Sequence, residues 1–434
     1  MLTVSFCTTS RSGAPRQWLR LMVIVVASTL AACSSTALRS PVPAELSAEA
    51  HVPGIPNARF WGDDISPELE QQLASLSKEE VKTQFPALYG KPHNYLAISG
   101  GGSNGAFGAG LLNGWTESGT RPEFQMVTGI STGALIAPFA FLGPDYDHVL
   151  KEVYTTISTE DIMLQRSLFT LLSAASVFNS DPLLHMLQKY VNDEVVAKIA
   201  AEYRAGKGLY IGTTDLDSMR PVIWDIGAIA ASGQANAKKL IQKIMLASAS
   251  IPGAFPPVKF DLEANGQRYD ELHVDGGTAN QVFVYPAATD WHQVLDLLEV
   301  PGKMNVYVIR NSSLQPQRVE VEPKLLSIAG RSVSSLIRTQ GLGDLYLIYL
   351  LAQRDGGVFQ LAHIPDDFDH SSQEAFDNSY MKELYSRGYE MAKDGYPWEL
   401  IPPGLKHAIA NEKQDPGQAN VSTFPPPAAS ADGE

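Results

Sequence analysis

Residues 124–136 read Phe-Gln-Met-Val-Thr-Gly-Ile-Ser-Thr-Gly-Ala-Leu-Ile. The apolar residues before the first glycine predict a buried strand, and those after the second predict a helix that begins near Ala134. Residues 95–99 form a second short apolar run, which three glycines close before a helical pattern over residues 106–117. Strands that alternate with helices are typical of a parallel sheet covered on both faces. We therefore expect an α/β protein with three layers, α/β/α, around a central and mostly parallel sheet.

The same alternation continues along the chain and predicts further elements. Strands are predicted at residues 209–213, 221–226 and 305–310. Helices are predicted at residues 64–85, 180–192, 235–249, 324–354 and 374–392. We expect a main domain over residues 61–310 and a helical C-terminal extension, residues 311–411, packed on its core. Residues 412–434 are rich in Pro, Ala, Ser and Gln, which predicts a disordered tail.

The N-terminus has the pattern of an export signal. Arg11, Arg16 and Arg20 precede the apolar run 21–32, which has the length of a signal h-region and is short for a membrane span. The run ends in small residues followed by Cys33, which resembles the lipobox of bacterial lipoproteins. An ordinary secreted protein with a cysteine near its cleavage site is the alternative.

On the lipobox interpretation, residues 1–32 are a signal peptide and Cys33 becomes the lipidated N-terminus. Cys7 leaves with the signal, so the mature chain has no disulfide to form. Residues 33–60 are rich in Ser, Ala and Pro near their start, which predicts a flexible tether. Ser34 follows the cysteine where Asp would favour the inner membrane. We expect a lipid-anchored protein of the bacterial cell envelope, at the outer membrane.

The composition limits the classes of partner. The 434 residues carry a formal net charge of -14 with a pI near 5.1, and no block of Lys or Arg occurs. Nucleic-acid binding needs a basic surface, so we expect no nucleic-acid partner. The histidines are scattered and no acidic loop has the spacing of a calcium site, so we expect no metal and no cofactor.

A serine stands in the turn between the strand and the helix quoted above. Ser131 lies between Gly129 and Gly133, and a serine held in such a strained turn presents its hydroxyl at the carboxyl edge of a sheet. The N-terminus of the following helix favours negative charge beside it. The pattern indicates a nucleophile, while an ordinary strand-to-helix turn remains the alternative.

A glycine-rich segment follows the other predicted strand. It consists of Gly100, Gly101, Gly102, Ser103, Asn104 and Gly105. A dinucleotide-binding turn would require an acidic residue about 20 residues on, where the serine turn lies instead. Consecutive glycines leave backbone N–H groups unobstructed, so the segment suits an oxyanion hole. A glycine-rich turn for close packing is the other possibility.

A serine nucleophile also needs a proton acceptor. In a Ser-Asp-His triad, chain order makes four histidines available as the base: His292, His363, His370 and His407. None of them stands in a glycine-framed loop. Asp275 does, because Gly276 and Gly277 follow it directly, although Asp-Gly is also a common turn pair.

These segments, in this order, resemble the patatin-like phospholipases. A further similarity is the stretch at residues 247–257, Ala-Ser-Ala-Ser-Ile-Pro-Gly-Ala-Phe-Pro-Pro, which looks like the A-S-x-A-x-P-x-x-F-P-P stretch of that family. The resemblance covers about residues 92–310. It implies a patatin-like fold and a Ser131/Asp275 dyad without histidine, with the amides around Gly100, Gly101 and Gly102 as the oxyanion hole.

The activity implied by this resemblance is that of a lipid acyl hydrolase acting on phospholipids or lysophospholipids through an acyl-enzyme. Asn104 departs from the family pattern, which has Lys or Arg before the last glycine of the loop. The lost cation would affect phosphate or acyl-oxygen handling but leaves the backbone amides in place. A Ser-Asp-His esterase of the α/β-hydrolase type and a non-catalytic envelope lipoprotein are the alternatives.

Overall fold

A computed structural model describes residues 39–64, 75–165, 176–289, 291–316, 318–370, 372 and 374–405. The predicted signal peptide, Cys33, His407 and the predicted disordered tail lie outside these residues. The chain divides into two compact units, Met1–Pro41 and Val42–Glu434, and all the elements named below belong to the second.

The described part of the chain contains a nine-stranded sheet and a separate pair of very short strands. The strands are β1 (Arg59–Trp61), β2 (Asn94–Ile98), β3 (Met126–Ile130), β4 (Leu164–Gln165), β5 (Phe178–Asn179), β6 (Gly208–Asp215), β7 (Arg220–Asp225), β8 (Val258–Ala264), β9 (Gln267–Asp275), β10 (Asn305–Ser313) and β11 (Val358–Ile364). The main sheet has the order β1-β7-β6-β3-β2-β10-β11, and β9 joins β6 to β8. Five neighbouring strands of the sheet run parallel to one another: β6, β3, β2, β10 and β11. The other four strands pair antiparallel with their neighbours: β1, β7, β8 and β9. The prediction of a mostly parallel sheet is confirmed.

Helices cover both faces of this sheet. They are α1 (Lys78–Gln84), α2 (Gly105–Glu117), α3 (Thr132–Leu142), α4 (Asp147–Thr156), α5 (Thr159–Ile162), α6 (Asp181–Tyr190), α7 (Asp193–Arg204), α8 (Ile226–Ala231), α9 (Ala237–Ser248), α10 (Trp291–Leu297), α11 (Leu325–Arg354) and α12 (Asn378–Ala392). Successive side chains of a strand point to opposite faces. Leu96 and Ile98 of β2 therefore join a core with α2, α3 and α9, while Tyr95 and Ala97 join a second core with α11. The predicted three layers are confirmed.

The region after residue 310 supplies both helices and a strand. The predicted helices at 324–354 and 374–392 are present as α11 and α12. Between them, β11 extends the sheet as a parallel neighbour of β10. This C-terminal part therefore completes the sheet as well as packing on it.

The segment before the main domain differs from the predicted flexible tether. The predicted flexible tether covers residues 33–60, of which the structure describes residues 39–60. Residues 42–60 pack on the domain instead: β1, which begins at Arg59, pairs with β7, and His51 bridges to Glu263. Four apolar side chains of the segment are buried: Ala50, Val52, Ile55 and Ala58. These side chains are spaced irregularly, and each packs on the domain separately. The sequence therefore shows neither helical nor strand periodicity there.

The β8–β9 hairpin was also absent from the predicted elements. Its first strand alternates buried and exposed positions, with Phe260 and Leu262 inside and Asp261 outside. Asn265 and Gly266 form the turn with φ of 49° and 72°. Asn-Gly between alternating residues is a strong hairpin signal, because both turn positions need positive φ. The hairpin matters because β9 ends at Asp275.

Candidate active site

Ser131 occupies the sharp turn between β3 and α3. Its φ of 54° and ψ of -123° lie in a region that residues with a side chain rarely adopt. The flanking glycines permit this turn by close approach of backbone. A Cβ on Gly133 would lie 2.2 Å from the carbonyl oxygen of Ile98, and one on Gly129 would lie 2.4 Å from that of Gly133. The two glycines thus allow the turn to pack against the end of β2.

The turn brings Ser131 into contact with Asp275. The Ser131 hydroxyl donates to Oδ2 of Asp275 over 2.6 Å, although the residues are 144 positions apart. The sheet produces this contact, because β9 pairs with β6 at Thr213 and β6 is the neighbour of β3. Ser131 is 7% exposed and Asp275 is 5% exposed. The two side chains meet in a nearly dry setting.

The surroundings of Asp275 alter its acidity. Burial raises the pKa of the Asp275 carboxyl to about 6, although the hydrogen bonds from Ser131 and from the N–H of Gly277 act in the opposite direction. The Gly277 N–H donates to Oδ1 over 2.7 Å. At neutral pH the carboxylate is mostly ionised and yet basic enough to accept a proton.

Residues in the stretch 247–257 accept hydrogen bonds from the backbone N–H groups of Ser131 and Asp275. Ser248 accepts a hydrogen bond from the N–H of Ser131 over 3.0 Å and donates its own proton to the Gly212 carbonyl over 2.7 Å. Ser250 accepts, through its carbonyl oxygen, a hydrogen bond from the N–H of Asp275 over 2.9 Å. The end of α9 therefore fixes the backbone of the serine and that of the aspartate. This supporting role is not visible in the sequence of the stretch, because it depends on backbone groups of distant segments.

The glycine-rich segment lies directly against the serine turn. A Cβ on Gly100 would be 3.2 Å from Cβ of Ser131, and one on Gly105 would be 2.2 Å from Oγ1 of Thr132. The N–H of Gly100 donates to the Gln281 carbonyl over 3.1 Å. A short 3-10 turn follows at Gly102–Asn104. The first N–H groups of such a turn have no acceptor within it, so those of Gly101 and Gly102 are the donors best suited to a ligand.

Asn311 at the end of β10 anchors this segment, and no sequence pattern singled it out. It is fully buried, donates from Nδ2 to the Ser99 carbonyl over 3.0 Å, and accepts at Oδ1 from the Gly108 N–H over 3.1 Å. A Cβ on Gly101 would lie only 2.3 Å from the Asn311 carbonyl oxygen. Asn104 turns toward α12, where its Oδ1 accepts from the Tyr380 hydroxyl over 2.7 Å.

Gln281 links the glycine segment to the turn after Asp275. Its Nε2 donates to the Gly277 carbonyl over 2.6 Å, and its own N–H donates to Oδ2 of Asp344 over 2.6 Å. Asp344 belongs to α11, and burial raises its pKa although backbone N–H groups and Arg310 lower it. Helix α11, which packs in the second core, is therefore attached to the loop that follows Asp275.

Part of the chain matches a known protein family. Residues 96–288 match the family model of the patatin-like phospholipases, a span that includes Ser131, Asp275 and the glycine segment. The chain carries a patatin-like phospholipase domain. The domain is therefore of a lipid-hydrolase type.

Two individual proteins are also similar to the chain. An uncharacterized protein, R571, of Acanthamoeba polyphaga mimivirus is 26% identical over 186 residues, which are 42% of this chain and 57% of that protein. The chain thus spans little more than half of that relative. The crystal structure of VipD from Legionella pneumophila aligns with 74% of each chain at 13% identity and a TM-score of 0.32.

The histidines considered as bases lie elsewhere in or around the patatin-like domain. His363 on β11 faces Glu399 with a separation of 3.4 Å, and His370 faces Glu383 at 3.0 Å. His292 is exposed and lies 3.7 Å from Asp296. Each of these rings is directed at a carboxylate other than Asp275, while the Ser131 hydroxyl donates to Asp275.

A buried charged network supports the strand that ends at Asp275. Ligand atoms of Asp215, Glu271 and His273 lie within 4.8 Å of one another. Arg59 of β1 forms a two-pronged ion pair with Glu271, and His273 lies 3.0 Å from the same carboxylate. Burial opposes ionisation of Glu271, yet His273 and Arg59 hold its pKa below the ordinary value. Arg59, in the segment that precedes the main domain, thus supplies the positive charge that pairs with Glu271, four residues before Asp275.

Proposed function

We propose that the protein hydrolyses carboxylic esters of phospholipids or lysophospholipids, with Ser131 as nucleophile and Asp275 as general base. The observation that carries this proposal is the 2.6 Å hydrogen bond between the two buried side chains. A serine needs an adjacent acceptor to become nucleophilic, and Asp275 is the acceptor that this turn presents.

The chemistry proceeds in two balanced steps. Oγ of Ser131 attacks the ester carbonyl carbon while its proton passes to Oδ2 of Asp275. The tetrahedral oxyanion accepts hydrogen bonds from the N–H groups of Gly101 and Gly102. The intermediate collapses, the alcohol leaves with the proton from Asp275, and an acyl-serine remains. Water then gives its proton to Asp275 and attacks the acyl carbon, and Ser131 recovers that proton as the fatty acid leaves.

The raised pKa of Asp275, about 6, favours this assignment. A carboxylate with an ordinary pKa of about 3.9 is a weak base at neutral pH. General-base catalysis is most efficient when the pKa of the base lies near the working pH. The burial that raises the pKa is thus part of the proposed mechanism.

The alternatives receive less support from the described residues. A Ser-Asp-His esterase would need one of the candidate histidines beside Ser131, and those of the described chain face other carboxylates. A scaffold without activity has no use for a strained serine turn held against a basic carboxylate. We also propose, from the lipobox pattern at Cys33, that the enzyme is anchored by lipid in the bacterial envelope, at the outer membrane.

The proposal is tested with the full chain in detergent on micelles of phosphatidylcholine, lysophosphatidylcholine and a neutral triglyceride. Wild type should release fatty acid from the first two, as measured by mass spectrometry. Ser131→Ala and Asp275→Asn should lose this activity, and Ser131→Ala should also lose labelling by a fluorophosphonate probe. His363→Ala is the matched control and should remain active. Activity that survives in Ser131→Ala, or disappears in His363→Ala, would refute the assignment.

A further inference from the structure

Ser99 is a fully buried serine at the point where β2 meets the glycine-rich segment. It follows Ile98, the last residue of β2, and its Oγ donates a hydrogen bond to the Gly100 carbonyl oxygen over 2.7 Å. The proposed acyl transfer gives this hydroxyl no part. A buried hydroxyl that binds a backbone carbonyl nevertheless fixes the direction in which that carbonyl points.

The end of β10 holds the Ser99 hydroxyl in place. The backbone N–H of Asn311 donates to Oγ of Ser99 over 2.9 Å, and Nδ2 of Asn311 donates to the Ser99 carbonyl oxygen over 3.0 Å. Because Oγ accepts from Asn311, its own proton is left to donate to the Gly100 carbonyl. The strand that lies beside β2 therefore sets the orientation of the serine side chain.

The direction of the Gly100 carbonyl determines that of the Gly101 N–H. The two groups belong to one peptide unit, which is trans, as are all the peptide bonds of the described residues. In a planar trans peptide the C=O and N–H bonds point in opposite directions. Since the carbonyl of Gly100 is turned inward to Ser99, the N–H of Gly101 is turned outward.

The outward N–H of Gly101 is available to a ligand beside Ser131. No residue of the described ranges accepts a hydrogen bond from it, and Gly101 is exposed whereas Ser99 is buried. Its neighbour Gly100 lies against the serine turn, where an added Cβ would be 3.2 Å from Cβ of Ser131. The free donor is therefore next to the residue that lies against the nucleophile.

Within the described part of the chain, no other hydrogen bond holds the peptide unit between Gly100 and Gly101. Asn311 Nδ2 and the Gln281 carbonyl bind the preceding peptide unit instead. Glycine on both sides leaves no Cβ to oppose rotation of the unit. A rotated unit would present the Gly100 carbonyl oxygen in place of the N–H, and an oxygen there repels an oxyanion. The Ser99 hydroxyl is thus the group that keeps the donor facing outward.

We propose that Ser99 is a positioning residue, whose hydroxyl keeps the Gly101 N–H directed at the oxyanion that forms beside Ser131. The inference rests on the proposed function and deepens it, because it names a residue outside the dyad and the glycines. Ser99 does not touch the reacting atoms. Its loss should therefore weaken stabilisation of the transition state and leave binding of the substrate unchanged.

The test compares two inhibitors of the full chain: an alkyl trifluoromethyl ketone and the corresponding secondary alcohol. With the ketone, Oγ of Ser131 bonds to the carbonyl carbon, its proton passes to Asp275, and the carbonyl electron pair becomes an oxyanion. The alcohol has a similar shape but forms no such adduct, so it measures binding without an oxyanion. Both inhibition constants are measured against hydrolysis of a soluble short-chain ester.

Ser99→Ala should raise the inhibition constant of the ketone about ten- to hundredfold and lower kcat by a similar factor, since one oxyanion donor loses its orientation. KM and the inhibition constant of the alcohol should not change, and the acid limb of kcat/KM should keep its midpoint because Asp275 is untouched. The matched control is Ser118→Ala, which should change neither constant. It removes a hydroxyl that donates to the Trp115 carbonyl, also over 2.7 Å, at the other end of α2. If Ser99→Ala does not fold, Ser99→Cys replaces it, because a thiol is only a weak donor.

An unchanged constant for the ketone in Ser99→Ala would overturn the inference. So would an alcohol constant that rises as much as that of the ketone, because the serine would then support the pocket and not the oxyanion. A different result refutes the proposed function. Wild type that hydrolyses no ester, or that binds the ketone no more tightly than the alcohol, would exclude the acyl transfer and with it the role of Ser99.

Discussion

Replacing Asp275 by asparagine should abolish activity and at the same time stabilise the protein above neutral pH. The reason is the burial of the carboxyl, which raises its pKa from 3.8 to about 6. The proposed mechanism requires the ionised form, whereas folding favours the protonated form. Ionisation of Asp275 is therefore expected to increase activity and to decrease the stability of the fold.

The magnitude for activity follows from the ionised fraction. A carboxyl with a pKa of about 6 is ionised in about one molecule in eleven at pH 5 and in about ten in eleven at pH 7. We expect kcat/KM of the wild type on a soluble short-chain ester to rise about tenfold between these pH values. The acid limb should have its midpoint near pH 6.

The magnitude for stability follows from the same shift. Because the pKa is raised in the folded state, the contribution of Asp275 is fully present below the unfolded pKa and is lost as pH rises through about 6. A difference of about two pKa units corresponds to about 3 kcal/mol. Asparagine carries no charge, so Asp275→Asn should exceed the wild type in free energy of unfolding by up to about 3 kcal/mol at pH 8.

The assay is urea unfolding at pH 5 and pH 8 for wild type, Asp275→Asn and Ser131→Ala. Ser131→Ala is inactive but keeps the carboxylate and removes a hydrogen bond that lowers its pKa, so its stability should fall with pH at least as much as that of the wild type. The reasoning is refuted if Asp275→Asn is less stable than the wild type at pH 8. It is refuted equally by a kcat/KM of the wild type that stays level from pH 5 to pH 7.

Two further substitutions test the supports of the site. Ser248→Ala leaves the Ser131 N–H without its acceptor, which should cost about 1–3 kcal/mol of unfolding free energy and lower kcat about tenfold, with the acid limb still near pH 6. Ser250→Ala is its control in kinetic assays and should remain active, because Ser250 reaches the dyad through a backbone carbonyl. Arg59→Ala leaves Glu271 buried without its cation, so calorimetry should show a loss of about 3–5 kcal/mol, and an unchanged Tm would show that the Arg59–Glu271 ion pair does not stabilise the domain.

The predicted elements near the site agreed with the structure because they depend on short-range properties. Alternation of apolar runs and helical patterns locates β2, α2, β3 and α3, and glycines mark the turns between them. The failures have equally local causes. Residues 42–61 lack periodicity because their apolar side chains dock one at a time on the domain, and the β8–β9 hairpin was missed although its Asn-Gly turn was visible in the sequence.

Taken by itself, the sequence predicted which groups could react: a serine between glycines, a glycine-rich segment suited to an oxyanion hole, and an aspartate followed by two glycines. Backbone geometry at a glycine is a property of neighbouring residues, so such motifs can be found in one dimension. Only the tertiary structure decided that the Ser131 hydroxyl is hydrogen-bonded to Asp275, since β9 reaches β3 through β6. It alone also decided the pKa of Asp275, because burial is contributed by residues from the whole chain. The same holds for three residues whose contacts join segments distant in the sequence: Ser248, Asn311 and Arg59.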